Sequence, residues 1–445
     1  MKLILVVDEC MGIGYKNGLP WKDKEELKLF KSITTNSTLV CGRKTAENLP
    51  YLKDRTLVCI TRNKHIDTSN WNNHVIVLNE LPENDDNTFI AGGLQIYQMA
   101  LERPKYITEI YLSIMKNSYE SDTFFNKKWL DDFVIEESTE FETFTHYKMI
   151  KTKNGERQYI NLLEKVLKEG HCRDTRNGIT ISTFGNQMKF NLQNGFPLLT
   201  TKKMFLRGIL EEFLFFLKGD TDASYLSDKK VKIWEGNTSK EFLKKCNLDY
   251  AEGVMGPMYG YQWRRYNSPY KTDNEGKPIK NTENKGIDQL KEVIDLIIND
   301  PHSRRILMTT YNPLQVHEGV LFPCHSLMLQ FYVEDKYLDM YCFNRSQDIF
   351  LGTPFNIASS SLLLLIIAQL TGKIARNFVM SMGDTHIYSD HIEAVNTQIQ
   401  RIPYKFPTIN IPIISKIEEI YELTVEDFFL ENYKSDKAIK AKMVA

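Results

Sequence analysis

Twice in the first hundred residues an apolar run stops at glycine and a helix-compatible stretch begins. Thr38-Leu39-Val40-Cys41 enters Gly42-Arg43-Lys44-Thr45, and Thr88-Phe89-Ile90-Ala91 enters Gly92-Gly93-Leu94-Gln95-Ile96-Tyr97. A short continuous apolar run of this kind reads as a strand buried on both faces, and a helix then carries the chain back across the sheet. Leu3-Ile4-Leu5-Val6-Val7 and Val58-Cys59-Ile60-Thr61 have the same character. The first third is therefore expected to be an α/β unit, with a central, mostly parallel, twisted sheet and flanking helices. The junctions also constrain function. Glycine at a helix N-terminus lets backbone N–H groups approach a phosphate. Two such turns in one open sheet, with Arg43 and Arg62 beside them, point to a nucleotide site.

Asp23 is positioned to open a helix whose apolar positions Leu27, Phe30 and Ile33 recur at helical spacing. Glu26 lies near the edge of that face. By default it is a solvated charge, but facing a cleft it becomes a candidate proton donor with a raised pKa. The loop Leu49 to Arg55 offers Arg55 as a carboxylate clamp. The order of these pieces, with Gly14…Leu19-Pro20-Trp21 before them and Tyr111-Leu112-Ser113 after, resembles dihydrofolate reductase over roughly residues 1–150. The resemblance implies that Glu26 binds a pterin ring and assists its protonation, that Phe30 packs on folate and that Arg55 pairs with its glutamate carboxylate. It further implies NADPH held by Gly14, Leu19, Gly42, Arg43, Lys44, Thr45, Thr61, Arg62, Gly92, Gly93 and Ile96. Arg43 and Arg62 suit the adenosine 2′-phosphate.

A chain of 445 residues exceeds what one core serves, so two or three domains are expected. Phe133-Val134-Ile135 and the run Phe141 to Met149 suit closing antiparallel strands, and Lys151 to Gly155 is a polar turn. Without a Gly/Ser/Pro tether the linker is short, and the boundary is expected between residues 152 and 153, giving units 1–152 and 153–445. Net charge is −1, so no global field attracts nucleic acid or anionic membrane, and anionic ligands must be met by local arginines. The seven cysteines form no CxxC pair and no metal-ligand spacing. With no signal-like segment at the start, a reducing, cytoplasmic, metal-free chain is expected. The longest apolar stretch, Leu362 to Leu370, is too short to span a bilayer and reads as a buried core helix.

In the second unit attention falls on Leu321-Phe322-Pro323-Cys324-His325-Ser326. The alternating run after it reads as a strand, with Cys324 held at its start by the preceding proline. The tripeptide alone favours a buried, inert thiol. The surroundings favour chemistry instead: Arg304, Arg305 and Arg345 are cations able to lower a thiol pKa. Glu211-Glu212 lies on an apolar helix spanning about Met204 to Lys218, where a buried carboxylate needs a network or a task. Tyr259 stands between glycines, and Asn344 to Asn356 concentrates polar groups in a short span.

From about residue 156 onward the chain resembles thymidylate synthase, an α+β fold that dimerises through this unit. The matching pieces are Phe322-Pro323-Cys324-His325, Arg345-Ser346-Gln347-Asp348, Gly352-Thr353-Pro354-Phe355-Asn356 and Gly383-Asp384-Thr385-His386-Ile387-Tyr388, with Leu199-Thr200-Thr201-Lys202-Lys203 and Ile233-Trp234-Glu235. The resemblance implies that Cys324 adds to C6 of dUMP, with Glu212 as acid–base near O4 and Tyr259 and His325 in the proton relay around C5. Arg176, Arg304, Arg305, Arg345 and Ser346 would hold the phosphate, with Gln347 also in the nucleotide site. Asn356 would read the uracil edge, His386 and Tyr388 the ribose, while Asp348 and Trp234 serve the folate. Arg304 and Arg305 would come from the partner subunit of a homodimer, and the tail Ile439 to Ala445 would close over the ligands. The co-substrate implied is 5,10-methylenetetrahydrofolate. Two alternatives remain: a synthase carrying a non-catalytic reductase-like scaffold, and an enzyme acting on dCMP. Asparagine at 356, able to donate and accept, argues for uracil over cytosine.

Overall fold

The aliphatic runs of the first third lie side by side. The computed structural model describes residues 1–63, 65–103, 105–152, 155–279 and 285–443. Two units emerge, Met1–Asn154 and Gly155–Ala445. Among the described residues of the first, an eight-stranded sheet runs in the order Val75–Leu78, Thr56–Ile60, Thr38–Gly42, Thr88–Ile90, Lys2–Val7, Glu109–Met115, Phe144–Lys151, Phe133–Glu140. Pairings are parallel up to Glu109–Met115, and the last two strands close the edge antiparallel. Parallel neighbours require crossovers, and the helices Lys24–Thr34, Arg43–Asn48 and Leu94–Leu101 fall between the parallel strands. Lys153 and Asn154 of the expected linker turn lie outside the described residues.

Asp23 caps the first helix by accepting from the amides of Glu25 and Glu26. Its faces are not those expected. Leu27 is 54 % exposed, whereas Glu26 and Thr34 are buried. Phe30 and Ile33 pack on the sheet core as their spacing predicts, so the inward stripe runs through Glu26 rather than Leu27.

The second unit holds a six-stranded sheet in the order His171–Thr175, Gly178–Asn191, Ile374–Tyr388, Tyr337–Asp348, Met328–Glu334, Leu307–Thr309. Only Tyr337–Asp348 and Ile374–Tyr388 pair parallel, and helix Gly352–Leu370 makes the crossover between them. That helix begins well before the apolar stretch at Leu362, because Pro354 is tolerated in a first turn whose amides have no intrahelical partner. By length and composition it could cross a membrane, yet most of it is buried in this unit's core. A second correction concerns the thiol. The strand after Cys324 starts only at Met328, and Cys324 itself sits in a loop. Ser326 takes a left-handed φ of 51°, held by its amide bond to Asn344 Oδ1 at 2.7 Å. All seven cysteines are free.

Candidate active sites

At the sheet's carboxyl edge in the first unit the two glycine turns meet, the Gly42 amide donating to the Gly92 carbonyl at 2.7 Å. Gly92 has φ +108°, and a Cβ there would lie 3.1 Å from Tyr97 Oη. One on Gly42 would lie 3.2 Å from Ile96, and one on Gly93 3.4 Å from Thr45 Oγ1. The backbone is thus bare where side chains would crowd it, a cradle that fits a phosphate-bearing cofactor. Arg62 is exposed beside Thr61. Arg43 is not a free cation: it pairs with Glu47 at 2.6 Å on its own short helix. Lys44 reaches Asn17 of the preceding loop, where Gly14 lies in the strand Gly12–Gly14 and Leu19 is exposed.

Glu26 shares its helix start with Asp23, and their environments separate them. Burial pushes the Glu26 carboxyl up to about 7, and the Asp23 charge adds to the effect. Asp23 is held low, first by the Thr143 hydroxyl and next by the Glu26 amide. Two neighbouring carboxyls driven apart in this way supply a protonated acid near neutrality beside a fixed anion. On the same helix the Thr34 hydroxyl accepts from Arg55 Nη1 at 3.2 Å, which fixes that guanidinium beside the Phe30 side of the helix.

In the second unit the buried core delivers an acid, a phenol, an imidazole and a thiol to one place. Helix Leu206–Leu217 is buried nearly all round, and Glu212 leaves it to accept from Trp234 Nε1 at 2.8 Å. Burial lifts the Glu212 carboxyl to about 7 against that bond. Trp234 lies 6.1 Å from the Tyr259 ring, and Tyr259 stacks on His325 at 4.4 Å and 15°. Tyr259 itself has φ 41° and ψ −103°. It is held there because the next helix starts at Gly260, where a Cβ would come within 2.0 Å of the Phe216 carbonyl. Its hydroxyl is 3.4 Å from Cys324 Sγ and accepts from the Cys324 amide at 3.3 Å. Burial holds His325 down to about 4, so the stacked imidazole is neutral.

The expectation that cations lower the thiol pKa is met only in part. Burial pushes Cys324 up; the Tyr259 bond and then the Arg345 charge oppose it without prevailing. Arg345 is the nearby cation, with Nε and Nη2 donating to the Pro323 and Phe322 carbonyls. Arg304 and Arg305 are exposed before strand Leu307–Thr309. Arg304 lines a cavity of about 460 Å³ with Gln330, Tyr332 and Tyr341, on the face of the sheet turned away from the core. Leu307, Gln330 and Tyr341 lie in register across that open face.

Arg176 occupies the exposed tip between strands His171–Thr175 and Gly178–Asn191, while Arg173 pairs with Asp384 at 2.8 Å. Asp384 in turn bonds His386 Nδ1 at 2.7 Å, and Tyr388 meets the His386 ring edge-on at 5.2 Å. Ser346 is half-buried; its amide and that of Arg345 donate to the Cys324 carbonyl, which ties strand to loop. Asp348 Oδ1 accepts from the amides of Phe350 and Leu351 at the helix start. Asn356 is buried in the first turn of that helix, bonded to Gln347.

Three groups went unassigned from sequence. Lys202 is buried, driven down to about 7 by burial against the pull of Asp348 and Glu156, and donates to the Phe350 carbonyl. Asp384 and Asn344 support His386 and Ser326 from behind. A lysine within a polar run, or an asparagine in a strand, gives no spacing signal for such roles. The tail is docked: the Asp436 amide donates to Thr200 O, Arg401 to Lys437 O, and His391 Nε2 lies 2.8 Å from Lys442 O. Of the run Ile439 to Ala445, Val444 and Ala445 lie outside the described residues.

Two sites of different chemistry stand on one polypeptide, an oxidoreductase site in the first unit and a methyltransferase site in the second. A dihydrofolate reductase family model matches residues 1–153, and a thymidylate synthase model matches residues 157–445. A bifunctional dihydrofolate reductase-thymidylate synthase of Paramecium tetraurelia is 37 % identical over 99 % of this chain and 98 % of its own. Those of Zea mays (36 %, over 97 % and 94 %) and Leishmania major (33 %, over 99 % and 94 %) are similarly matched. The chain belongs to the bifunctional dihydrofolate reductase–thymidylate synthases. The scaffold and dCMP alternatives are disfavoured by these matches.

Proposed function

We propose that Cys324 attacks C6 of dUMP, that Glu26 serves the reduction of dihydrofolate, and that the two reactions form one cycle on this chain. The observation that carries the reading is the cluster Glu212–Trp234–Tyr259–Cys324–His325, whose acid and thiol an inert core would not need. Adding a thiolate to C6 pushes charge onto O4 and C5, and Glu212, protonated near neutrality, answers it toward O4. Tyr259 and neutral His325 flank the sulfur and belong to the proton relay at C5. Arg176, Arg345 and Ser346 take the phosphate, His386 and Tyr388 the ribose, and Asn356 the base edge. Asp348, with Oδ2 left over from helix capping, and Trp234 serve the folate. In the first unit the cradle of Gly42, Gly92, Gly93, Thr45 and Ile96, with Arg62 for the 2′-phosphate, fits NADPH. Phe30, Arg55 and the exposed Leu27 are left for a folate to cover. When bound, methylenetetrahydrofolate supplies a carbon unit and a hydride, and NADPH supplies the hydride for the second reaction. We place the boundary of the two catalytic units between residues 152 and 153, two residues before the division between the compact units Met1–Asn154 and Gly155–Ala445. With dUMP, methylenetetrahydrofolate and NADPH supplied together, each dTMP formed should be followed by one NADPH oxidised. A purified chain that makes dTMP but leaves NADPH untouched would refute the cycle.

The open sheet face bearing Leu307, Gln330, Tyr332 and Tyr341 is the surface we assign to a homodimer. A second copy docked there delivers Arg304 and Arg305 to the other's phosphate, which completes the charge that Cys324 lacks alone. Mixing inactive Cys324→Ser and Arg305→Ala chains after dissociation should restore roughly a quarter of wild-type synthase activity, since half the dimers then carry one intact site. No recovery would mean that the sites are not shared.

A further inference from the structure

We infer that Gln347 is a positioning residue that fixes the orientation of the Asn356 amide and thereby sets the preference for uracil over cytosine. The inference rests on the reading above that Asn356 meets the base edge. Gln347, Thr353 and Asn356 are all buried, at 2 %, 0 % and 9 % exposure. Gln347 Nε2 donates to the Ser346 carbonyl at 3.1 Å. A backbone carbonyl can only accept, so the atom facing it must be the amide nitrogen. Oε1 is therefore turned toward the first turn of helix Gly352–Leu370, where it accepts from Thr353 Oγ1 at 2.9 Å and Asn356 Nδ2 at 3.1 Å. An acceptor can be met only by a donor, so the second amide is oriented as well. Direction passes from one carbonyl through two side chains.

Held this way, Asn356 keeps Oδ1 and one N–H for a ligand. Uracil offers the complement, an N3–H donor and an O4 acceptor. Cytosine offers the reverse, an unprotonated N3 and an amino donor at position 4. Pairing with cytosine would require the Asn356 amide to turn over, which sets Oδ1 against Gln347 Oε1. Turning Gln347 as well would set its oxygen against the Ser346 carbonyl. Each step leaves two buried acceptors facing, which low dielectric makes costly.

The test is the ratio of dissociation constants for dUMP and dCMP, measured calorimetrically on the full-length chain. Gln347→Met keeps the volume and removes the bonds, and should narrow the preference for dUMP by about five- to tenfold. Gln347→Glu, assayed at a pH where its buried carboxyl keeps a proton to donate to the Ser346 carbonyl, retains an acceptor toward Asn356 and Thr353 and should hold the ratio within about twofold of wild type. Gln347→Leu repeats the first change with another shape, so a folding defect in one variant does not decide the matter. Dihydrofolate reduction and the melting temperature of the same samples report folding. An unchanged ratio in both apolar variants overturns the inference. Asn356→Asp tests the underlying reading, and should move the ratio toward dCMP. If it does while the Gln347 variants do not, the orienting role fails and the base contact stands. If it does not, the base contact fails, and the role of Gln347 with it.

Discussion

Cys324→Ser is expected to lower dTMP formation by at least about 10⁴-fold, as removal of a nucleophile does elsewhere. Dihydrofolate reduction by the same chain should persist, so the loss is not unfolding. The change is nearly isosteric, and a hydroxyl can keep the bond to Tyr259 that the thiol makes at 3.4 Å. What disappears is an anion accessible near neutral pH, because conjugate addition to a pyrimidine needs a thiolate. The wild-type thiol starts at a disadvantage, pushed up by burial and only partly relieved by Tyr259 and Arg345. The direction of its pH dependence follows. Below the thiol pKa, the thiolate fraction rises about tenfold per pH unit, so trapping by a 5-fluorinated dUMP with methylenetetrahydrofolate should quicken as pH rises. The serine variant should give no covalent adduct at any pH. An adduct that survives in that variant would sink the assignment of Cys324.

The legible parts of this chain were those where backbone demands a residue type. Glycine at 42, 92 and 93 was readable because a crowded strand-to-helix turn admits little else, and the parallel sheet followed from the runs before it. Illegible parts were those where tertiary packing overrides pattern. Leu27 falls on the helical stripe in sequence, yet it is Glu26 that turns inward and is buried, while Leu27 is exposed. Pro323 suggested a strand start at Cys324, whereas the Ser326–Asn344 bond keeps four residues in a loop before Met328. The start of helix Gly352–Leu370 was not marked by the apolar stretch at Leu362, because its first turns mix Gly352, Pro354 and polar residues with the apolar ones. In the second unit, sequence motifs drew attention to Cys324 and to several arginines, but not to the electrostatic balance at the thiol, where burial outweighs the Tyr259 bond and the Arg345 charge. That balance depends on burial, which no spacing encodes.

Replacing Glu26 by glutamine should lower the rate of dihydrofolate reduction at neutral pH by about 10²- to 10³-fold, the usual worth of a positioned proton donor. The wild-type chain carries its carboxyl at about 7, through burial and then the charge of Asp23. The protonated form is the competent one, so NADPH oxidation should fall about tenfold per pH unit above 7. The E26Q profile should be flat there, since an amide does not titrate. Stability should move the other way. A folded pKa above the ordinary 4.5 means that folding favours the proton. The associated stability is present in full below about 4.5 and is lost as pH rises through about 7. The loss is on the order of 3 kcal/mol for a shift of this size. Chemical denaturation of the first unit at pH 8 should therefore find E26Q at least as stable as wild type, although it is far less active. That combination is expected of a carboxylate kept for chemistry at the expense of folding. An E26Q chain that reduces dihydrofolate at the wild-type rate with the wild-type pH profile would remove Glu26 from the mechanism. One destabilised at pH 8 would assign it to the core instead.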